Sequence, residues 1–275
     1  MTALKLWTTE MPEGHTIHRV AVDHTRDYAG QTLKVSSPQG KFRSGARTLN
    51  GRTLIDVEAF GKHLFYNWDG KTLHIHLGLY GKFRTHQSPP PEPRGAVRLR
   101  VIGEETSFDL NGPTACELLT VAQRKALIER LGVDPLRADA DPEKLWDRLQ
   151  RTRSPIGTVL MNQAIIAGVG NVYRAEILHL LKMHPERSAN TLTRKEFDAL
   201  WKLTVDLLKI GKRYNRIITA HPDDVGKPRG RMDSEERLLI YKKDVCTRCE
   251  TPVQTWKLAA RNMFACPVCQ PLEDS

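Results

Sequence analysis

Four cysteines near the end of the chain form two knuckles, Cys246-x2-Cys249 and Cys266-x2-Cys269, with sixteen residues between them. Two such turns facing each other supply four thiolates, the ligand set of a tetrahedral zinc with no open position for chemistry. Redox exchange is the poorer reading, because there are two pairs and neither sits in a βαβ pattern. One structural zinc is therefore expected. The fifth cysteine, Cys116, lies among apolar residues and reads as a buried, inert thiol. A different chemistry is offered by "MPEGHTIHR", Met11 to Arg19. A proline that begins a mature chain carries a secondary amine with a pKa of roughly 8. Such an amine can attack a sugar C1′ and collapse to an iminium. Inside a chain the same nitrogen is a tertiary amide and can do neither. Pro12 is thus a nucleophile only if translation starts at Met11 and that methionine is removed. The preceding "MTALKLWTTE" has no evident role, which favours that start. Glu13 supplies a carboxylate beside the same substrate atom, able to protonate a ring oxygen or relay a proton.

Other candidates are spread along the chain. Lys62 follows Gly61 in "EAFGKHLFYNW", at a turn that leads into a strand. Lysine is a point-charge phosphate ligand and can also deliver a proton. Leu79 and Tyr80 lie between two glycines in "HLGLYGKFR". An apolar pair on such a loop is ordinarily core; in a basic protein the alternative is a wedge inserted where a base has left the stack. In "GVGN" the backbone can turn sharply, and Asn171 is expected as N-cap of the next helix, where free N–H groups favour a phosphate. Lys257, Arg261 and Asn262, between the knuckles, make a basic hairpin tip. His74 and His76 alternate onto one strand face with no acidic partner nearby in sequence, and read as ordinary sheet histidines.

Elements with two different periods must hold these groups in place. Residues 16–29 carry Ile17, Val20, Ala21 and Tyr28 at helical spacing, with Gly30 as a C′ residue. Short alternating runs follow: "TLKVSS", "RTLIDVEAF", "KHLFYNW", "TLHIHL", "AVRLRVI" and "TSFDL". Asn50-Gly51 and Asp69-Gly70 punctuate them, which predicts an antiparallel sandwich or barrel. "SPPPEPRG" is a surface loop and "GVDPLRADADP" a linker. Beyond it the period is helical. Asp141-Pro142 and Ser154-Pro155 each place a capping residue before an N1 proline. Thr193 and Glu196 form a capping box that opens a helix to about Gly211, with Phe197, Leu200, Trp201, Leu207 and Leu208 inward.

Composition narrows the partner. The 275 residues hold 42 Lys and Arg against 32 Asp and Glu, a net charge of +10. That surplus points to a polyanion, with nucleic acid first. Apolar residues make up 40%, enough for a packed core. No apolar run approaches a membrane span, and the first ten residues hold no signal-peptide h-region. Unpaired cysteine usage of this kind fits a reducing compartment, hence the cytoplasm, or the nucleoid if the source is bacterial.

Taken in order, the MPEG start, GK turn, HLGxxG loop, GVGN turn and CxxC–x16–CxxC ending in "CPVCQ" resemble the formamidopyrimidine-DNA glycosylase/endonuclease VIII family from Met11 to Gln270. The resemblance implies an α+β fold: an N-terminal helix plus antiparallel β-sandwich, then a helical helix–two-turn–helix domain with a zinc-ribbon hairpin. The expected limits are an extension at 1–10, the sandwich at 11–131, a linker at 132–141, the helical domain at 142–240 and the zinc finger at 241–275. It also implies a monomeric, bifunctional enzyme on damaged double-stranded DNA, without organic cofactor. Such an enzyme excises an oxidised base, then cleaves the strand by β- and δ-elimination through a Schiff base. By position, Pro12 is then the nucleophile, Glu13 the proton relay and Lys62 the hairpin lysine. Leu79 and Tyr80 are void-fillers, and Asn171 and Arg261 phosphate ligands.

Two features depart from or divide the family. Many members read PELPEVE or PEGPEI, whereas here Thr16 replaces the second glutamate. "HLGLYG" is closer to the endonuclease VIII branch than to HLGMSG of the purine-specific branch, which tilts the substrate toward oxidised pyrimidines. "HPDDVGKPRGRMD" (His221 to Asp233) occupies the place of the lesion-capping loop of purine-specific members. The competing class is a catalytically inactive DNA-binding protein, which holds if the chain starts at Met1. A zinc-ribbon transcription factor leaves the MPEG start and the GK turn unexplained.

Overall fold

Helix α1 (Gly14–Tyr28) opens the computed structural model, which describes residues 12–272. The extension and Met11, and with them the start site, lie outside the described residues. Ile17, Val20, Ala21 and Tyr28 form the buried stripe of α1. The helix closes as its spacing predicts: the Ala29 N–H bonds Thr25 O and Gly30 takes φ +81°.

Eight strands follow: β1 (Thr32–Ser36), β2 (Arg52–Phe60), β3 (His63–Trp68), β4 (Lys71–His76), β5 (Lys82–Gln87), β6 (Val97–Ile102), β7 (Thr106–Asn111) and β8 (Ala115–Leu119). They pair antiparallel in the order β5-β7-β6-β1-β2-β3-β4-β8. One core takes Val35, Leu99, Phe108 and Leu110 from one half of that order and Leu54, Leu64, Tyr66 and Ile75 from the other, with Ile17 and Val20 of α1. Side chains of both halves thus face each other, as in a sandwich.

Four elements of this region were absent from the sequence reading. Helix α2 (Arg43–Leu49) buries only Ala46 and Leu49, and α3 (Val121–Glu129) buries nothing, so neither shows a stripe. Strands β5 and β8 are the two ends of the sheet order, and β8 has no fully buried residue.

The second half contains α4 (Pro142–Gln150), α5 (Ile156–Val159), α6 (Asn171–Leu180), α7 (Arg194–Tyr214), α8 (Pro222–Val225) and the hairpin of β9 (Gln254–Leu258) and β10 (Arg261–Ala265). Asp141 caps α4 through Glu143 N, with Pro142 at N1. The Thr193–Glu196 box caps α7, which runs on to Tyr214. Ser154 does not act as a cap. Pro155 itself takes the N-cap place of the single turn α5, and the Ile156 N–H goes instead to Arg187 O at 2.8 Å. The segment after Gly132 is irregular but tied down: Gly132 N bonds Gln163 O, and Ala167 N bonds Val133 O, both at 2.8 Å.

The chain divides into two compact units. Residues 17–129, with Pro12 and Glu13, form the β unit; residues from Arg130 onward, with Gly14–Thr16, form the helical unit. The first turn of α1 thus belongs to the helical unit and the remainder to the β unit. No helix among the described residues is long and apolar enough to cross a membrane.

Candidate active site and metal centre

Pro12 is half-buried and Glu13 is 1% exposed. Glu13 is the N-cap residue of α1, in an extended conformation (φ −108°, ψ 176°), and its carboxylate does not cap the helix. The next residue fixes where this dipeptide lies. The Gly14 N–H donates to Gly168 O at 2.8 Å, and a Cβ at Gly14 would stand 2.7 Å from Gly168 Cα. Only backbone fits there, so the glycine of MPEG and the first glycine of GVGN are required together. The sequence placed both motifs in one reading without showing that they touch.

Lys62 lies in the turn between β2 and β3, and its carbonyl accepts from His76 Nδ1 at 3.0 Å. The register His63↔His76 puts this turn and the "HLGLYG" loop at the same end of the sheet. In that loop Gly78 has φ +65°, and a Cβ on it would meet Thr114 Oγ1 at 1.9 Å. Leu77 is buried and its carbonyl accepts from the Gly81 N–H at 3.0 Å. Leu79 and Tyr80 emerge from this pinned base at 49% and 83% exposure. A loop that is tight at its neck and apolar at its tip has the form of a wedge.

The histidines of this region are more than isolated sheet residues. His74 Nε2 meets His63 Nδ1 at 2.9 Å, and His74 Nδ1 meets Glu117 Oε1 at 3.1 Å. Burial lowers the His74 pKa against the pull of Glu117. The acidic partner missing nearby in sequence comes from β8 through the register His74↔Glu117. Burial also pushes the Cys116 thiol up to about 12, so it is protonated and unreactive at neutral pH.

Asn171 is not the N-cap of α6. Gly170 takes that place without a side-chain bond, and Asn171 is the first helical residue, 4% exposed. Its Nδ2 donates to Asn262 O at 3.0 Å while its Oδ1 accepts from Arg174. Arg174, fully buried, also donates to the carbonyls of Leu258 (3.1 Å), Gly157 and Asn262 (both 3.3 Å). Asn171 is thereby brought to the strand that carries Arg261, whose side chain is exposed beside the tip. Two non-glycine residues, Ala259 and Ala260, turn the tip with φ +52° and +58°. Arg174 gave no signal in the sequence, because an arginine inside an apolar helix reads as a surface residue.

The four knuckle cysteines converge, with all Sγ atoms within 4.8 Å of one another. Individual Sγ–Sγ distances of 3.9 Å (Cys246–Cys269) and 3.4 Å (Cys249–Cys266) bracket roughly 3.8 Å, the edge of a tetrahedron with 2.3 Å zinc–sulfur bonds. Backbone N–H groups of Arg248 and Cys269 point at Cys246 Sγ (3.4 Å) and Cys266 Sγ (3.3 Å). Burial holds the Cys269 thiol up at about 12, so a divalent cation must displace its proton. Around the thiols, buried His179 lies 3.9 Å from Cys246 Sγ. Gln270 accepts from Cys266 N at 3.1 Å and donates to Met183 O at 2.9 Å, locking the knuckle to the helical core. The donor set fits one tetrahedral metal held for structure.

Comparison with known proteins matches residues 11–115 to the formamidopyrimidine-DNA glycosylase N-terminal domain and residues 131–221 to the formamidopyrimidine-DNA glycosylase H2TH domain. Endonuclease 8 1 of Mycobacterium tuberculosis is 45% identical over 268 residues, covering 94% of this chain and 100% of that protein. A formamidopyrimidine-DNA glycosylase of Thermomicrobium roseum is 30% identical over 248 residues, covering 82% of this chain and 85% of the other. Among solved structures, Lactococcus lactis Fpg in complex with DNA containing an abasic site superposes with a TM-score of 0.77 at 24% identity. That alignment covers 94% of this chain and all of the other, and the likeness is one of fold.

Proposed function

The chain belongs to the formamidopyrimidine-DNA glycosylase/endonuclease VIII family of base-excision-repair DNA glycosylases with AP lyase activity, and from that premise we propose that it removes oxidised pyrimidines through the Pro12 amine. In this reading the Pro12 nitrogen bonds C1′ as the bond from C1′ to the base breaks and the amine proton passes to the departing base; the C1′–O4′ bond then opens to give the iminium, with Glu13 delivering a proton to O4′. The iminium acidifies C2′–H; loss of that proton expels the 3′ phosphate, and a second elimination expels the 5′ phosphate. Lys62 steadies a phosphate and supplies a proton. Leu79 and Tyr80 fill the vacated stack, and Asn171 and Arg261 hold the backbone. Cys246, Cys249, Cys266 and Cys269 hold one zinc that orders the hairpin. The enzyme works as a monomer on damaged duplex DNA in the cytoplasm or nucleoid.

One observation carries this reading. Pro12 and Glu13 lead directly into a helix whose first residue is bonded to the GVGN turn, so the backbone two residues after the nucleophile is tied to the turn that leads into Asn171. The match of the N-terminal family domain from residue 11 onward supports a chain that begins there. The pyrimidine preference is supported by the exposed Leu79–Tyr80 pair and by the likeness to a protein named Endonuclease 8.

The test uses two forms, one starting at Met1 and one at Met11, each with its N-terminus verified by mass. Borohydride should trap the short form, processed to Pro12, on abasic DNA and leave the long form free. Trapping by an intact long form would remove Pro12 from the mechanism and turn attention to Lys62. In single-turnover assays duplexes with thymine glycol should be cleaved faster than those with 8-oxoguanine. The reverse order would overturn the lesion assignment alone.

A further inference from the structure

We propose that His15 is a positioning residue for the nucleophile: its ring wedges the first turn of α1 between α6 and α7 and so fixes the Pro12 amine, on the reading that Pro12 attacks C1′. Where the family patterns quoted above have proline and glutamate, this chain has His15 and Thr16. His15 is only 3% exposed. Its ring meets Tyr173 of α6 edge-on, with centroids 5.3 Å apart and planes at 83°. Edge-to-face pairs of this geometry are attractive beyond the area they bury. Tyr173 is itself fully buried and held by its hydroxyl, which donates to Leu207 O of α7 at 3.3 Å.

The slot that receives the ring depends on residue 211. One turn beyond Leu207, a Cβ on Gly211 would stand 2.9 Å from His15 Cγ and 2.0 Å from the Tyr173 hydroxyl oxygen. Neither ring could then keep its place. Within α1, His15 Nε2 lies 3.1 Å from Thr16 Oγ1. The two departures from the family pattern are therefore one paired change: a histidine that docks, and a threonine that meets its second nitrogen where a glutamate would stand.

The docking acts on the amine through very little chain. His15 is held by Tyr173 and the slot at Gly211, and Gly14 by Gly168 O at 2.8 Å. Two consecutive residues are thus fixed to the turn, to α6 and to α7, and the Pro12 nitrogen lies only two residues upstream. An error of about 1 Å in such a group can slow chemistry about a hundredfold without weakening binding. A ring packed this tightly is a good wedge.

The experiment uses whichever length of the protein traps abasic DNA, with the adduct located by peptide mass. His15→Ala should lower the single-turnover trapping rate at saturating DNA about ten- to a hundredfold. Its Kd for abasic duplex and its metal content should stay near the parent values. His15→Phe, which keeps the ring, should recover most of the rate, and Gly211→Ala, which fills the slot, should reproduce the loss. A parent-like rate in His15→Ala, or a loss confined to Kd, overturns the wedge. Should His15→Ala not fold, the other two variants decide: equal loss in both overturns the proposal, and loss in Gly211→Ala alone supports it. A parental adduct on a residue other than Pro12 overturns the nucleophile reading and the wedge with it, whereas a Pro12 adduct with unimpaired variants overturns the wedge alone.

Discussion

In the β unit, buried ionisable groups pair with one another: Arg100 donates to both oxygens of Asp109 at 2.6 and 2.8 Å, His86 joins Asp109 at 3.3 Å, and His24 Nδ1 meets the Tyr66 hydroxyl at 2.6 Å. In the helical unit they pair with main chain. Arg174 donates to three carbonyls, and Glu176, two residues along α6, accepts from the N–H groups of Leu239 (2.8 Å), Ile240 (2.9 Å) and Tyr241 (2.8 Å) as well as the Thr219 hydroxyl. The ladders of a sheet already satisfy its peptide groups, so a buried charge there needs only another side chain. The irregular segment Leu239–Tyr241 has no ladder, and Glu176 serves as its substitute, while Arg174 takes carbonyls of α5 and of the β9–β10 hairpin. The same chemistry fixes side-chain packing in one unit and loop backbone in the other.

The largest way to test this contrast is to strip the metal proposed for the four knuckle cysteines, a second device that would hold irregular backbone in the helical unit. Structural zinc contributes on the order of 10 kcal/mol in small zinc modules. Chelation, or Cys269→Ser, should expose the segment from Cys246 to Cys269 to trypsin and abolish DNA binding while the β unit stays folded. Unchanged cleavage with the metal stripped would show that Met263 and Phe264, buried in the helical core, hold the hairpin alone. Next in size is Glu176→Ala, which leaves three N–H groups, that of Ile240 fully buried, without their acceptor and should cost on the order of 5 kcal/mol in urea unfolding. The matching change in the β unit is Arg100→Met and His86→Phe with Asp109→Leu, which removes all three partners at once and should cost less than about 1 kcal/mol. Equal costs would erase the distinction between the units.

The third test is by pH. Burial holds His24 down at about 4, against 6.5 when exposed, with its ring stacked 4.5 Å from Phe108. The folded pKa is the lower one, so below about 6.5 the unfolded chain takes a proton that the folded chain refuses. Stability of the β unit should be full above that pH and fall as pH drops from 6.5 toward 4, by about 3 kcal/mol. His24→Phe should flatten the slope; an unchanged slope would assign it to another group. A smaller effect than that of pH is at the hairpin tip. Ala260→Gly relieves one left-handed alanine and should stabilise the hairpin by about 1 kcal/mol, read as slower metal loss to a chelator.

What could be read from the sequence followed from local pattern. The stripe of α1, the capped starts of α4 and α7 and six of the strands carry their own periodicity or caps. The cysteine knuckles carry their own ligand spacing. What could not be read depends on partners distant in the chain. Glu117 reaches His74 only through a strand register 43 residues away. Asn171 looked like a helix cap because its neighbours are glycines; its actual partner, Asn262, is 91 residues on. Helix α3 buries nothing, and so leaves no apolar signature to find. Ser154-Pro155 has the right residues for a helix start, but a competing bond from Ile156 to Arg187 O decides the geometry.

The assignment of the first turn of α1 to the helical unit governs how this molecule can be taken apart. A cut after Glu129, where the two units part, would leave residues 14–16 on one fragment and Gly168, Tyr173 and Gly211 on the other. Neither fragment would be a self-sufficient module. Separately produced halves would have to recombine to rebuild that corner, as in fragment complementation, and recovered lyase activity would report their reunion. The same holds for shuffling between relatives. A chimera that takes its first sixteen residues from one parent and its helices from another inherits half a lock, and works only when the residue at 211 suits the residue at 15.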